Sequence, residues 1–508
     1  MLSVETPPRS EAAVRRHASL ARAAYIAFAI AFAAHFFRFS RAGLRSWFSN
    51  DDAMNLFLAW TRPYSELFAS CFAVFVPYTR PLGQAYYLLL YRLFGFDPLP
   101  FNVVRLAVAA LDVVVLYLFV SRVLRSRTAG LCALLLAGVH PALFSIYFDT
   151  GMIYDTLAFL FYWLTFWVYV GIRQRGAVPG WRAMLGLLAL HTCALNSKEI
   201  AVTLPLGILL YELALAPPRL TRPALGRWLT REGRFALAGA LLTALYLAPR
   251  LYSKTSLYSL PGYRPDYSPE TYFGTYGTYV SEFLARSGAL PWPVLAALLA
   301  GGIVAAVLTR RRVLLWAALF NVVAVLPIAF IPPRLGFAFY VPLMGWAVLL
   351  AGLLDLAREA AVKRIHAGPR FGPAARDAAA RFFLVALLAG VVVPFYIKAA
   401  KSRYYGAQNR QDQIRTWYRE IRYVLPEIPP HSRILLLREP PQPEWTLQFL
   451  LPLATRDRST TVRVVRQLKA MNAEIKAEDF TLFVDYEGDH FRLVSRGEIE
   501  ELIQRKAL

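Results

Sequence analysis

Apolar residues along the chain fall in long runs, such as Ala23 to Phe37, Val113 to Val120 and Leu241 to Leu247, separated by short arginine-rich pieces. A bilayer core about 30 Å thick needs roughly 20 mostly apolar residues in helix, and many runs approach that length. The pattern predicts spans at 20–38, 99–120, 128–148, 152–171, 182–196, 200–216, 235–250, 290–309, 313–331, 337–357 and 382–398, about eleven crossings. A further apolar stretch at 82–95 is shorter and reads as interfacial or re-entrant. The sequence shows no internal repeat, so a repeat-built transporter gains no support.

After Lys398 the long runs stop. Arg410 to Leu425 reads as an amphipathic helix, and Ile434 to Leu437, Val462 to Val465 and Thr481 to Val484 as short strands. The expected fold is therefore an all-α polytopic membrane bundle with a small C-terminal soluble α/β domain. Its parts are a cytoplasmic segment 1–19, a transmembrane domain 20–398 and an extracytoplasmic domain 399–508. Two outer loops stand out within the membrane part. One covers 39–98. The other covers 251–290 and is tyrosine-rich, with Tyr252, Tyr258, Tyr263, Tyr267, Tyr272, Tyr276 and Tyr279.

Composition rules out a soluble enzyme. The 508 residues are 57% hydrophobic and only 18% charged, against about 45–50% and about 25% in soluble domains. Met1 to Leu20 is polar, and the run behind it lacks an A-x-A cleavage site before Arg38 and Arg41. It reads as a retained first helix rather than a cleaved signal. The net charge of +23 sits in alternate loops, around Arg122 to Arg127, Arg173 to Arg182, Arg219 to Arg234, Arg310 to Arg312 and Arg358 to Arg381 (including Arg370). That alternation places those loops and the N-terminus in the cytoplasm. No basic domain with interleaved aromatics is present, so nucleic acid is not an expected partner. Cys71, Cys132 and Cys193 are scattered and odd in number, which fits neither a disulfide framework nor a zinc spacing. The high Arg and Ala content hints at a GC-rich bacterium, hence its inner membrane.

Ionisable residues at membrane depth are functional hypotheses by default. Here they collect on the face opposite the arginine loops. Asn50-Asp51-Asp52 starts a helix, with Asn50 as expected N-cap; an ordinary acidic helix start is the alternative. Asp149-Thr150-Gly151-Met152-Ile153-Tyr154-Asp155 puts Asp155 at the start of an apolar span, where a structural hydrogen bond would also suit it. Asn196-Ser197-Lys198-Glu199 lies between two spans, Arg334 and Tyr340 stand in the proline-bounded stretch Ile331 to Pro342, and Arg80 precedes Pro81. An Arg snorkelling to headgroups is the bland reading of the last two. No Walker A, dinucleotide or histidine-rich metal motif appears, and His140 and His191 are isolated.

These residues, in this order and on one face, resemble the GT-C superfamily of membrane glycosyltransferases, which includes protein O-mannosyltransferases and bacterial lipid A aminoarabinose transferases. The resemblance covers roughly residues 20–350 and rests on Asp51-Asp52, Thr79-Arg80-Pro81-Leu82, Leu93-Phe94-Gly95-Phe96-Asp97-Pro98, His140-Pro141 with Asp155, Ser197-Lys198-Glu199 ahead of Ala201-Val202-Thr203-Leu204-Pro205, and Arg334 with Tyr340 and Pro342. The chain departs from many protein mannosyltransferases in lacking β-trefoil inserts, and its tail matches nothing assignable. The resemblance implies an inverting glycosyltransferase that moves a sugar from a polyprenyl-phosphate donor to an extracytoplasmic hydroxyl acceptor. It casts Asp51, Asp52 and Asp155 as catalytic, Arg80, Lys198, Arg334 and Tyr340 as donor-phosphate ligands, and Glu199 as a support. Membrane lipids and the lipid-linked donor are the expected partners. No cofactor is firmly implied; a divalent metal is compatible with the family and supported by no residue pattern. A lipid-linked glycan ligase or polymerase, and a non-enzymatic transporter or flippase, are the competing readings.

Overall fold

Within hydrocarbon every backbone polar group must find its partner inside the protein, which a helix achieves residue by residue. In the computed structural model the expected spans lie mostly on helix, with breaks inside those at 128–148, 313–331 and 337–357. The structure describes residues 11–75, 80–219, 221–251, 263–364, 373–424, 428–440, 446–470, 475–488 and 490–504. Thr79, Tyr252, Tyr258, Arg370 and Leu425, named above, lie outside these, as do residues 1–10.

Among the described residues, six helices are long and apolar enough to cross a membrane alone: Ala23–Arg45, Pro98–Val123, Thr150–Gln174, Arg234–Leu251, Arg312–Ala329 and Arg376–Ala400. Trp181–Leu195 and Trp292–Leu308 are apolar but shorter. The expected span at 128–148 is a broken one. Arg127–Gly138 and Pro141–Phe148 meet at 54°. Leu134–Gly138 widens into a π-helical turn, and Pro141 has no N–H with which to continue the ladder. The His140 Nδ1 then accepts from the Ala142 N–H (3.0 Å) and starts the next turn. His140 thus has a structural job, as does His191, whose Nε2 lies 3.1 Å from the Thr243 hydroxyl.

The outer surface of the bundle is apolar. Ile30 is 66% exposed, and Phe382 and Phe383 are 72% and 66% exposed. Such a contiguous greasy face has no place in water; it belongs against lipid, and the chain is an integral membrane protein. The interior is packed with rings, with Trp163, Phe119, Phe166, Trp316 and Phe320 in mutual contact.

The last membrane helix does not stop at Lys398. Pro373–Val424 is continuous over 52 residues, about 78 Å at 1.5 Å per residue. Gly390 and Pro394 fall within it without ending it, and the amphipathic stretch read at Arg410 is its far end. Beyond it lies a four-stranded sheet in the order β2-β1-β3-β4. Its strands are β1 (Arg433–Leu436), β2 (Thr461–Val464), β3 (Leu482–Glu487) and β4 (His490–Val494). β1 is parallel to β2 and β3, and β4 runs antiparallel to β3.

This small unit docks on the first outer loop. Its helix Thr446–Thr455 packs against helix Asn50–Thr61, with Phe449 5.5 Å from Phe57 between ring centroids. Tyr418, from the long helix, stacks on Phe96 at 4.7 Å and meets Trp47 at 5.9 Å. The Tyr91 hydroxyl donates to the Leu453 carbonyl (3.1 Å). The α/β unit and the first outer loop therefore share one end of the bundle.

Candidate active site

Helix Asn50–Thr61 is capped one residue earlier than the sequence suggests. Ser49, not Asn50, is the N-cap, and Asp52 at the third helical position closes a capping box. An Asp three residues after a Ser is the pairing that makes such a box, and it outcompetes Asn50. The Asp52 Oδ2 accepts from the Ser49 N–H (2.6 Å) and lies 2.8 Å from its hydroxyl. The Tyr87 hydroxyl donates to Oδ1. Asp52 is wholly buried, whereas Asp51 is exposed. A single residue step, about 100° around the helix, thus separates a sealed carboxylate from an accessible one.

Asp149 joins them. Its Oδ1 accepts from the Gly151 N–H (3.0 Å), and Ser49 also donates to it. A Cβ on Gly151 would sit 3.3 Å from Asp149 Oδ1 and 3.6 Å from Asp52 Oδ1, so the two carboxyls flank this glycine. Burial, then the charge of Asp149, pushes the Asp52 carboxyl up to about 8, against the hydrogen bonds from Tyr87 and Ser49. Asp149 is pushed upward too, by burial and then by Asp51, against the hydrogen bond from Gly151. At neutral pH the pair therefore shares a proton. A protonated Asp52 can donate to Ser49 Oγ, which in turn donates to Asp149. Arg105, fully buried beneath, supplies a positive charge within reach of both, while donating to the Ile146 carbonyl (2.5 Å) and Asn102 Oδ1 (3.0 Å).

This arrangement predicts a pH dependence. The folded Asp52 carboxyl keeps its proton to about 8, while an unfolded Asp releases it near 4. The associated stability is complete below about 4 and is lost as pH rises through about 8. Between pH 6 and 9 the melting temperature of the wild type should fall by a few °C more than that of Asp52→Asn. Parallel pH profiles of the two proteins in thermal unfolding would refute the assignment.

The second cluster lies where other helices end. Arg80 stands just before helix Pro81–Phe94 in a left-handed conformation (φ 56°), unfavourable for a non-glycine residue and doubly so ahead of proline. Glu199 holds it there with a forked pair, Nε to Oε1 at 3.0 Å and Nη2 to Oε2 at 2.9 Å. Burial opposes the Arg80 charge, but Glu199 and then Asp155 outweigh it and hold the guanidinium above its ordinary range. Lys198 pairs with Asp155, both nearly buried, and lies 4.9 Å from the Phe337 ring centroid. Burial pulls the Lys198 ammonium down, against Asp155.

Asn196 ties this turn to the outer loop. Its side-chain amide donates to the Cys71 and Ala73 carbonyls (2.9 Å each), and its backbone carbonyl accepts from the Leu82 N–H (3.2 Å). Arg250, buried at the end of span Arg234–Leu251, reaches the field of Glu199. The cluster thus holds the cations Arg80, Lys198 and Arg250 against the carboxylates Asp155 and Glu199.

Tyr154 stands between the two clusters. The Arg80 guanidinium lies 5.6 Å from its ring centroid, and Asp52, Asp51 and Arg62 are all within its electrostatic reach. Gly83 makes room for it, since a Cβ there would come within 2.1 Å of the ring. Tyr154, Asn196, Arg250, Asp149 and Arg105 were not among the expected functional residues. Tyr154, Asp149 and Asn196 stand in the quoted motifs without an assigned role, and a lone buried Arg within an apolar run carries no spacing signal.

Two expected ligands stand elsewhere. Arg334 packs over Tyr263 (4.1 Å to the ring centroid), and its N–H donates to the Tyr279 hydroxyl (3.0 Å). Phe337, three residues further on, places its ring centroid 4.9 Å from the Lys198 ammonium. Tyr340 is buried, stacks on Phe159 (4.3 Å) and donates to Asp112 (3.2 Å), a carboxyl within span Pro98–Val123. It faces the bundle interior, beside a cavity with room for about one water, lined by Asp112, Phe159 and Met344. Among the described residues, no three His, Cys, Asp or Glu side chains are placed to hold one metal ion.

Residues 78–252, which hold both clusters apart from the Asp51-Asp52 helix, match the family model described as dolichyl-phosphate-mannose-protein mannosyltransferase. No curated protein sequence matches the chain. Among solved structures, the chain is similar to ArnT from Cupriavidus metallidurans bound to undecaprenyl phosphate, with a TM-score of 0.51 at 13% identity, covering 93% of this chain and 98% of that one. The apo state of ArnT matches with a TM-score of 0.51 at 14% identity, covering 92% and 93%. The chain therefore shares the ArnT fold over nearly its full length, as the resemblance to GT-C glycosyltransferases leads one to expect.

Proposed function

We propose that this chain, a membrane protein of GT-C fold, transfers a sugar from a polyprenyl phosphate to a hydroxyl acceptor at the membrane face that carries the α/β unit. The observation that carries the reading is the division of labour at Asp51-Asp52. Asp52 is sealed into the helix cap, which leaves Asp51 exposed at a fixed position, across Tyr154 from a cation-rich cluster. ArnT binds undecaprenyl phosphate, and a related donor suits the cations found here.

In this reading the donor phosphate is held by Arg80 and Lys198 through charge-assisted hydrogen bonds, with Arg250 adding positive field. Glu199 fixes the Arg80 fork and Asp155 steers Lys198. Arg334 guards the rim. Asp51 takes the proton of the acceptor hydroxyl as its oxygen attacks the anomeric carbon. The bond from that carbon to the phosphate oxygen breaks, and polyprenyl phosphate leaves with the electron pair. A single displacement inverts the anomeric centre. The strained Arg80 backbone fits this role, since such strain is kept where a side chain must be aimed. With the arginine-rich loops at the other ends of the spans read as cytoplasmic, the proposed site lies on the extracytoplasmic face.

The test uses the full chain in proteoliposomes with radiolabelled polyprenyl-phosphate sugars and a membrane extract as acceptor source. Release of polyprenyl phosphate together with an inverted glycoside is the expected result. Donor crossing the bilayer intact, with no polyprenyl phosphate released, would replace the transferase with a flippase.

A further inference from the structure

A groove of about 730 Å³ opens between the end of helix Pro81–Phe94 and the α/β unit, well away from Asp51. Trp60, at its wall, follows Asp51 by nine residues in the same helix, roughly 14 Å along the axis. The groove is lined by Arg92 from the membrane part and by Arg456 and Arg458 from the α/β unit. All three are exposed, and among the described residues none forms an ion pair with a carboxylate. The nearest acid in sequence, Asp457, is spent on its own loop, accepting from the His431 and Ser459 N–H groups at 2.7 and 2.9 Å.

The arginines are held by rings rather than by acids. Arg92 lies 4.3 Å from the Tyr64 centroid, and Arg458 lies 5.2 Å from that of Trp60 and donates to the Tyr64 hydroxyl (3.1 Å). Such packing orients a guanidinium while leaving its charge uncompensated. Arg456 is more telling. It sits just past helix Thr446–Thr455 in the left-handed conformation (φ 56°), a place glycine usually fills. An arginine there strains the backbone, against the favourable interaction of its charge with the helix C-terminus. One lip of the groove is Leu93 and Phe94, 65% and 51% exposed. An apolar lip beside three unneutralised guanidinium groups matches an amphiphile with an anionic head.

We propose that this groove binds the headgroup of an anionic phospholipid, whose chains run past Leu93 and Phe94. The phosphate oxygens take the Arg92, Arg456 and Arg458 forks. The lipid thereby links the α/β unit to the membrane part, because each contributes cations. This site is distinct from the donor site and does not depend on the transfer reaction.

Binding of a short-chain phosphatidic acid to the full-length protein in neutral detergent, followed by native mass spectrometry and thermal unfolding, tests it. Short-chain phosphatidylcholine and glycerol phosphate serve as comparison ligands. Phosphatidic acid should bind and raise the melting temperature, at least tenfold more tightly than either comparison ligand. Arg456→Gly should lose at least tenfold in that affinity without losing apo stability, since glycine suits the backbone; misfolding cannot then explain the loss. Arg92→Gln with Arg458→Gln should weaken it further. Wild-type affinity in Arg456→Gly, or equal binding of phosphatidylcholine, would overturn the proposal. Equal binding of glycerol phosphate would overturn the lipid as the source of the phosphate.

Discussion

Asp51→Asn should lower transfer from a polyprenyl-phosphate sugar by about 10²–10⁴-fold, the usual span of general-base assistance. Donor binding and folding should survive. Asp51 occupies the second position of helix Asn50–Thr61 and is exposed. Its carboxylate interacts favourably with the helix N-terminus, which is worth about 0.3–1 kcal/mol. The capping box belongs to Asp52, so Asn at 51 leaves it whole. Single-turnover transfer in membranes, with donor binding measured in parallel, separates the two effects. A variant that turns over at the wild-type rate would remove Asp51 from the chemistry and leave an ordinary acidic helix start. Asp52→Asn is the contrasting variant. It alters a cap and the tyrosine contact from Tyr87, so its loss should show in stability and its pH dependence as well as in rate.

The asymmetry between those two aspartates marks the limit of the sequence. Adjacent identical residues carry the same information in a string, and only the position of the cap decides which is sealed. Reading Asn50 as N-cap shifted the helix start by one residue and concealed the Ser49–Asp52 reciprocity. The hydrophobic runs were legible because apolar period and length are local properties, and the expected spans lie mostly on helix. The break falls at Gly138-Val139-His140-Pro141, where a histidine and a proline interrupt an apolar run that resumes directly after them. Helix Pro373–Val424 was divided too early because a change from lipid-facing to water-facing residues alters composition, not backbone geometry. β4 was missed although Gly488, with φ 57°, makes the turn after β3. In the site, charged residues at the ends of apolar runs stood out because charge there is costly. Their partners did not. Arg80 meets Glu199 across 119 positions and Lys198 meets Asp155 across 43, so the pairing follows from packing alone. Tyr340 illustrates the converse: it stands in the expected motif, yet its hydroxyl is committed to Asp112.

That pairing raises the question whether Lys198 is a ligand or only a brace, and a pair of variants answers it. Lys198→Met should cost about 3–5 kcal/mol of stability, because it strands Asp155 as a buried charge. The side chains are 15% and 6% exposed, so water offers little relief. Arg80, which also reaches Asp155 electrostatically, should keep the loss toward the lower end. Adding Asp155→Leu removes the stranded charge, and apolar replacement of a whole buried pair is often neutral or stabilising. The double variant should therefore regain most of the wild-type resistance to thermal unfolding in detergent. Its transfer activity should stay low, by about 10²-fold or more if Lys198 supports the leaving phosphate as an electrophilic donor does. Stability restored without activity assigns the cation to the donor. Stability and activity restored together would reduce the pair to a brace, and the phosphate would have to rest on Arg80 and its neighbours alone.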